Sequence, residues 1–174
     1  MRVWLAWLAM VLLAGCAGVP GGEPDAALGP PLDGFSAAGR MSLRQGDRSD
    51  HLQFDWRHLP QRDVMVFSTP LGQGLAELGR DAGGAWLALP GAQERRAANL
   101  GELAKLVFGA SLPLDVRADW LRGAQPEREG IADGWRIVIS ETMPYHQRRL
   151  PRRLEVRRGD VELRIVIDAW GRND

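Results

Sequence analysis

The sequence predicts a mainly β domain, built as one antiparallel sheet that is strongly curved or nearly closed, with a few short helices packed on or in it. Three observations predict it. Short apolar runs with period-two alternation recur from residue 35 onward. They follow one another too closely for parallel crossovers, which take a dozen or more residues. Only two segments, between residues 99 and 123, carry helical start and stop signals.

The chain opens differently. Met1-Arg2 is a short positive start, residues 3–13 are almost wholly apolar, and Leu13-Ala14-Gly15-Cys16 follows. The run is too short to cross a bilayer, which takes about 20 apolar residues. It fits the apolar part of an export signal, and the small Ala14 and Gly15 suit a peptidase that draws extended backbone into its site. The Leu-Ala-Gly-Cys order resembles the lipobox of bacterial lipoproteins, which implies cleavage before Cys16 and acylation of that residue. Cys16 is the only cysteine of the 174 residues, so it has no internal disulfide partner. Acyl chains anchor firmly: each buried methylene contributes about 0.8 kcal/mol, and two chains already hold a protein on a membrane. Ala17 stands where an aspartate would signal retention at the inner membrane, so the expected address is the outer membrane, facing the periplasm. Residues 1–15 thus read as signal peptide, 16–34 as a flexible acylated tether rich in Gly, Pro and Ala, and 35–174 as the folded domain.

Within that domain residues 35–44 begin with small residues and then alternate around Met41 and Leu43. Residues 51–56 alternate cleanly, with Leu52, Phe54 and Trp56 on one face. Residues 64–68 make a short apolar strand; 74–78 and 85–89 follow, separated by a turn around Asp81-Ala82-Gly83-Gly84. Asn99 can cap a helix, with Glu102 three residues on as in a capping box. Leu100, Leu103, Leu106 and Val107 then form an apolar stripe, and Gly109 sits where a C-terminal cap belongs. Asp115 is read as the cap of a second helix that runs to Leu121 and ends at Gly123. Strands at 135–140, 153–158 and 162–168 close the chain, the last two joined by the hairpin signal Gly159-Asp160.

Removing the signal takes Arg2 with it and leaves 21 basic against 22 acidic residues, so the balance supplies no field for nucleic acid. The residue pattern offers no active site either. His51 falls on the polar side of its strand and His58 in the turn before Leu59-Pro60, so both are expected in water, and the neighbouring Asp50 and Asp55 make no metal site with them. Ser68 and Ser111 lack a nucleophile-elbow motif, and Gly72-Gln73-Gly74 is too short for a phosphate loop. No catalytic residue, metal or cofactor is expected.

Two features are more telling. Beyond Trp4 and Trp7 the chain carries Trp56, Trp86, Trp120, Trp135 and Trp170. They either fill an ordinary core or line a cavity that a curved sheet surrounds. Thr69-Pro70-Leu71-Gly72-Gln73-Gly74 joins two strands as a turn, which places Leu71 either at an exposed tip or folded back on the core.

An ordered set of short motifs now coincides. It comprises the lipobox, Gly39-Arg40, Phe54-Asp55-Trp56, Ser68-Thr69-Pro70-Leu71-Gly72 and Leu112-Pro113-Leu114. Asp119-Trp120-Leu121-Arg122-Gly123, Gly134-Trp135-Arg136-Ile137, Leu150-Pro151 and a closing strand ending at Trp170 follow. The set resembles the LolB family of lipoprotein insertion receptors over nearly the whole mature chain; the arginine-rich residues 141–149 depart from the family pattern. The resemblance implies an incomplete, unclosed antiparallel β-barrel with short α-helices covering or plugging the opening, as in LolA and LolB. It implies a receptor that accepts triacylated lipoproteins from a LolA-like periplasmic carrier and inserts them into the inner leaflet of the outer membrane. The family's protruding leucine, needed for that insertion step, maps onto Leu71, flanked by Pro70 and Gly72, and Leu71 is expected to enter the lipid headgroup region. Inward-face positions proposed for the acyl cavity are Leu52, Phe54, Trp56, Val66, Leu87, Trp135, Ile137, Ile165 and Ile167, and Arg40 is either a carrier or carbonyl contact or a plain surface residue. The expected partners are that carrier, its lipoproteins and outer-membrane lipid, with no nucleic acid, and the chain acting as a monomer. The competing readings are a non-transferring structural or assembly lipoprotein with a filled core, and a lipid hydrolase.

Overall fold

In a computed structural model of the chain the described residues are 31–123 and 128–171, so the signal segment and Cys16 lie outside them. The elements are β1 (Phe35–Gln45), β2 (Arg48–Leu59), β3 (Arg62–Ser68), β4 (Gly74–Asp81), β5 (Gly84–Ala88) and β6 (Arg95–Ala97). Helices α1 (Leu100–Phe108) and α2 (Leu114–Leu121) follow, then β7 (Glu129–Ala132), β8 (Trp135–Tyr145), β9 (Arg148–Arg158) and β10 (Val161–Gly171). The strands form a single ten-stranded sheet in the order β6-β5-β4-β3-β2-β1-β10-β9-β8-β7. Every adjacent pair is antiparallel.

The order explains the shape. The chain starts in the middle of the sheet, walks outward by hairpins to β6, and crosses to the opposite edge through the segment that carries both helices. It then returns by hairpins until β10 lies beside β1. β6 and β7 do not pair, so the barrel stays open. Long strands coil, and the bulge between Ala38 and Gly39 strengthens that coiling where β1 meets β10. Only glycine fits there: a Cβ on Gly39 would stand 2.2 Å from the Val166 carbonyl oxygen.

Alternation sets what lies inside. Along β2 the buried residues are Leu52, Phe54, Trp56 and His58, and along β10 they include Leu163, Ile165 and Ile167. The apolar ones belong to one hydrophobic cluster that also takes Leu100, Leu103, Ala104 and Phe108 from α1. Phe108 meets Phe67 edge-on at 5.0 Å, which seats α1 on β3. Leu106 is 57% exposed, contrary to the expected stripe: the buried face runs through 100, 103, 104 and 108, with Val107 at its margin. The capping box is present, since the Glu102 backbone N–H donates to Asn99 Oδ1 at 2.9 Å and Gly109 closes the helix at φ 75°.

For α2 the expected cap is corrected. The N-cap position is Pro113, two residues before Asp115, and no side chain caps the helix. Two strands absent from the sequence reading, β6 and β7, are the edges. The arginine-rich residues 141–149 form the far half of the β8–β9 hairpin, which turns at His146 with φ 51°.

The two ends of the barrel differ. β1 begins at one end, level with His58, and Leu32 just before it hydrogen-bonds through its N–H to the Arg122 carbonyl at 2.9 Å. Ser68 pairs with Gln53, which pairs with Arg40, five residues farther along β1 than Phe35. The β3–β4 turn therefore points away from the end at which the chain enters the sheet.

Candidate functional site

The site has two parts, an apolar interior beneath α2 and the protruding β3–β4 turn. The interior holds a small apolar hollow of about 20 Å³, walled by Met41, Phe54, Trp56, Met65, Phe67 and Ile165 among others of the sheet. Leu114 and Leu121 of α2 form its cover. Seven residues apart, they share one helix face. The space admits about one water molecule. Two of the wall residues are methionines, whose unbranched chains repack more readily than any other large apolar side chain. Trp120, next to Leu121, lies against β7: a Cβ on Gly130 would stand 2.8 Å from Trp120 Cη2. Helix α2 thus reaches the β7 edge, while α1 rests on β4, β5 and β6.

Of the positions expected to face inward, Leu52, Phe54, Trp56, Leu87, Trp135, Ile137, Ile165 and Ile167 are buried. Phe54, Trp56 and Ile165 touch the hollow itself. Val66 is a correction. It is 40% exposed, because on β3 the inward set is Asp63, Met65 and Phe67. An offset of one residue moved it to the outer face, where it lines a groove with Val64 and Leu59. Met65 and Phe67 were missed for the same reason, and Leu114 and Leu121 because no local signal tells which helix face meets the sheet.

The turn at residues 69–73 is tightly held. The Gly72 N–H donates to the Thr69 carbonyl at 2.8 Å, and the Thr69 N–H donates to the Gln73 carbonyl at 2.8 Å. Thr69 Oγ1 accepts the Gln73 N–H, and the Gln53 amide donates to the Pro70 carbonyl at 3.2 Å. Pro70 supplies the fixed φ and Gly72 the positive φ of 84° that such a turn needs. Leu71 is 97% exposed at the tip. Of the two placements left open by the sequence, the tip is the observed one.

The polar groups are structural ion pairs. Arg40 forks onto Asp168 with two bonds of 2.9 Å, which raises its pKa. His58 corrects the expectation of a solvent-facing ring: it is 7% exposed and its Nδ1 donates to Asp63 Oδ1 at 2.7 Å. Period two carried one step past Trp56 would have found it, with Asp63 opposite across the hairpin. Asp63 also accepts Trp56 Nε1 at 3.0 Å and Arg80 Nε at 3.0 Å. Burial raises the Asp63 pKa, but the bonds from His58 and Trp56 and the charges of His58 and Arg80 outweigh it and hold it below the usual carboxylate value. On the outer face Arg44, Arg157 and Arg164 converge on Glu162; the Arg44 bond comes first in lowering its pKa. Asp55, on the outward side of β2, cannot meet His58. Among the described residues no group of three or more His, Cys, Asp or Glu could hold a metal ion.

Known proteins are similar to this chain. A family model described as outer membrane lipoprotein LolB matches residues 33–170. An outer-membrane lipoprotein LolB of Chromobacterium violaceum is 34% identical, covering 97% of this chain and 98% of its own. One from Thiobacillus denitrificans is also 34% identical, over 95% of this chain and 93% of its own. Among solved structures, a LolA superfamily protein from Nitrosomonas europaea superposes with a TM-score of 0.53 at 10% identity, covering 84% of this chain and 89% of its own. That likeness is one of fold. With a family model spanning the whole folded domain and relatives matching end to end, the chain belongs to the LolB family of outer-membrane lipoproteins.

Proposed function

We propose that the chain is a receptor, anchored through an acylated Cys16 to the outer membrane and facing the periplasm. It takes triacylated lipoproteins from a LolA-like carrier and inserts them into the inner leaflet of that membrane. The observation that carries the reading is a leucine exposed at the tip of a hydrogen-bonded turn, in a molecule with a small apolar hollow between its sheet and a short helix. An exposed leucine on a braced turn is poorly hydrated and has no packing role, whereas a lipid surface offers it apolar surroundings.

The energetics favour a sheltered route. An acyl chain with about fifteen buried methylenes loses about 12 kcal/mol on entering water, so three chains cannot cross an aqueous gap unaided. A cavity that opens as α2 swings outward would hold them. Transfer then runs down a gradient of affinity from carrier to receptor to bilayer, and needs no nucleotide. The filled-core alternative requires the interior to stay shut. Displacement of a fluorescent fatty-acid probe by a triacylated lipoprotein separates the two: the receptor shows it, and a permanently closed core shows none.

Leu71→Glu tests the delivery step. The variant is expected to accept lipoprotein from the carrier as the wild type does and to lose most of its transfer to liposomes. Normal transfer by the variant removes Leu71 from the mechanism.

A further inference from the structure

Among the described residues, the buried side-chain polar atom that makes no hydrogen bond is Trp120 Nε1. Trp120 is 4% exposed. Two other indoles, one buried and one half-buried, find acceptors: Trp56 reaches Asp63 at 3.0 Å and Trp170 the Pro151 carbonyl at 3.0 Å. An orphaned donor of this kind is costly to keep, and phenylalanine would supply an aromatic ring without it. Its place is informative. The ring lies on β7 at Gly130, on the helix whose Leu114 and Leu121 cover the hollow. It stands at the seam between the cover and a free sheet edge.

We propose that the Trp120 indole N–H receives the carbonyl oxygen at the head of a fatty acyl chain held in the interior, an ester or amide carbonyl of the bound lipid. The inference rests on the receptor reading. Methylenes need only apolar walls, but the carbonyl at the head of each chain loses its water on entering them and must find a donor. The walls of the hollow supply hydrocarbon, thioether and aromatic surface. Trp120 supplies a donor on the part of the molecule that must move to admit the chain, so cargo binding satisfies the N–H.

The test compares two lipopeptides with the same peptide and the same two sixteen-carbon chains, one ester-linked and one ether-linked, neither N-acylated. Each displaces a fluorescent fatty-acid probe from the full chain carrying Cys16→Ala. The ester form is expected to bind about 3- to 10-fold more tightly than the ether form, the worth of one hydrogen bond. Trp120→Phe is expected to weaken the ester form to the level of the ether form, leave the ether form unchanged, and keep or raise the urea midpoint. Equal binding of the two lipopeptides by the chain with Trp120 overturns the proposal without any variant. So does an ester preference that survives Trp120→Phe, or a variant that loses stability and both ligands alike. Failure of the Trp120 chain to bind either lipopeptide overturns the receptor reading, and the proposal with it.

Discussion

At the scale of single residues, Asp63 shows how a charge is kept inside a small barrel. Its carboxylate gathers His58, Trp56 and Arg80 into one buried knot near the end where β1 begins, with Phe35 stacked 5.0 Å from the His58 ring. Asp63→Asn leaves the shape and removes the charge that its partners face. It is expected to cost about 3 kcal/mol in urea unfolding. Because the folded-state pKa is depressed, the charge contributes stability above the unfolded value of about 3.9 and loses it as pH falls through the folded value. The wild-type urea midpoint is therefore expected to drop below about pH 4, and Asp63→Asn to show a shallower fall. Equal slopes would mean that the knot carries no pH-linked stability.

At the scale of elements, α2 has the features of a movable cover. No side chain caps its N-terminus, Pro113 precedes it, and Arg122 and Gly123 follow. Its leucines Leu114 and Leu121 line the hollow that the proposed function assigns to a fatty chain. Leu121→Ala is expected to destabilise the fold by about 2–5 kcal/mol and to tighten binding of a fatty-acid probe, since room is made before the ligand arrives. Weaker or unchanged probe binding by a folded Leu121→Ala would show that the hollow is not the binding site. Elements also show what the sequence made legible. The eight central strands announce themselves by alternation, and the capping box of α1 by its spacing. The edge strands do not: Arg95-Arg96-Ala97 and Glu129-Gly130-Ile131-Ala132 are short, and the first is charged, which suits an edge that must resist pairing but hides it from a search for apolar alternation. Val66, Leu106 and His58 went astray by one step of a period, because burial depends on which face the sheet turns inward, and that is settled by distant pairings such as β1 with β10. The hollow was legible as a possibility only; its cover is a tertiary fact.

At the scale of the whole molecule, the long-range closure of β1 on β10 brings Arg40 to Asp168 across 128 residues of sequence. Such topology folds slowly, and its reward is a long-range paired shell around the interior on which the short helix α2 packs. The same shell fixes the distance between the two membrane contacts proposed above, the Cys16 end and Leu71. The chain enters at the Phe35 end, and Leu71 projects from the other, at least about 17 Å farther along the strands. Residues 17–31, stretched fully, reach about 50 Å. If Cys16 is acylated and Leu71 enters lipid as proposed, a span of that length would let the domain turn over and press Leu71 into the very bilayer that holds those acyl chains. Deleting residues 17–28 should leave the protein membrane-bound yet slow delivery to liposomes several-fold, and a glycine-serine stretch of equal length should restore it. If the shortened chain delivers normally, anchor and leucine need not share a membrane, and a receptor on one bilayer could serve a neighbouring one.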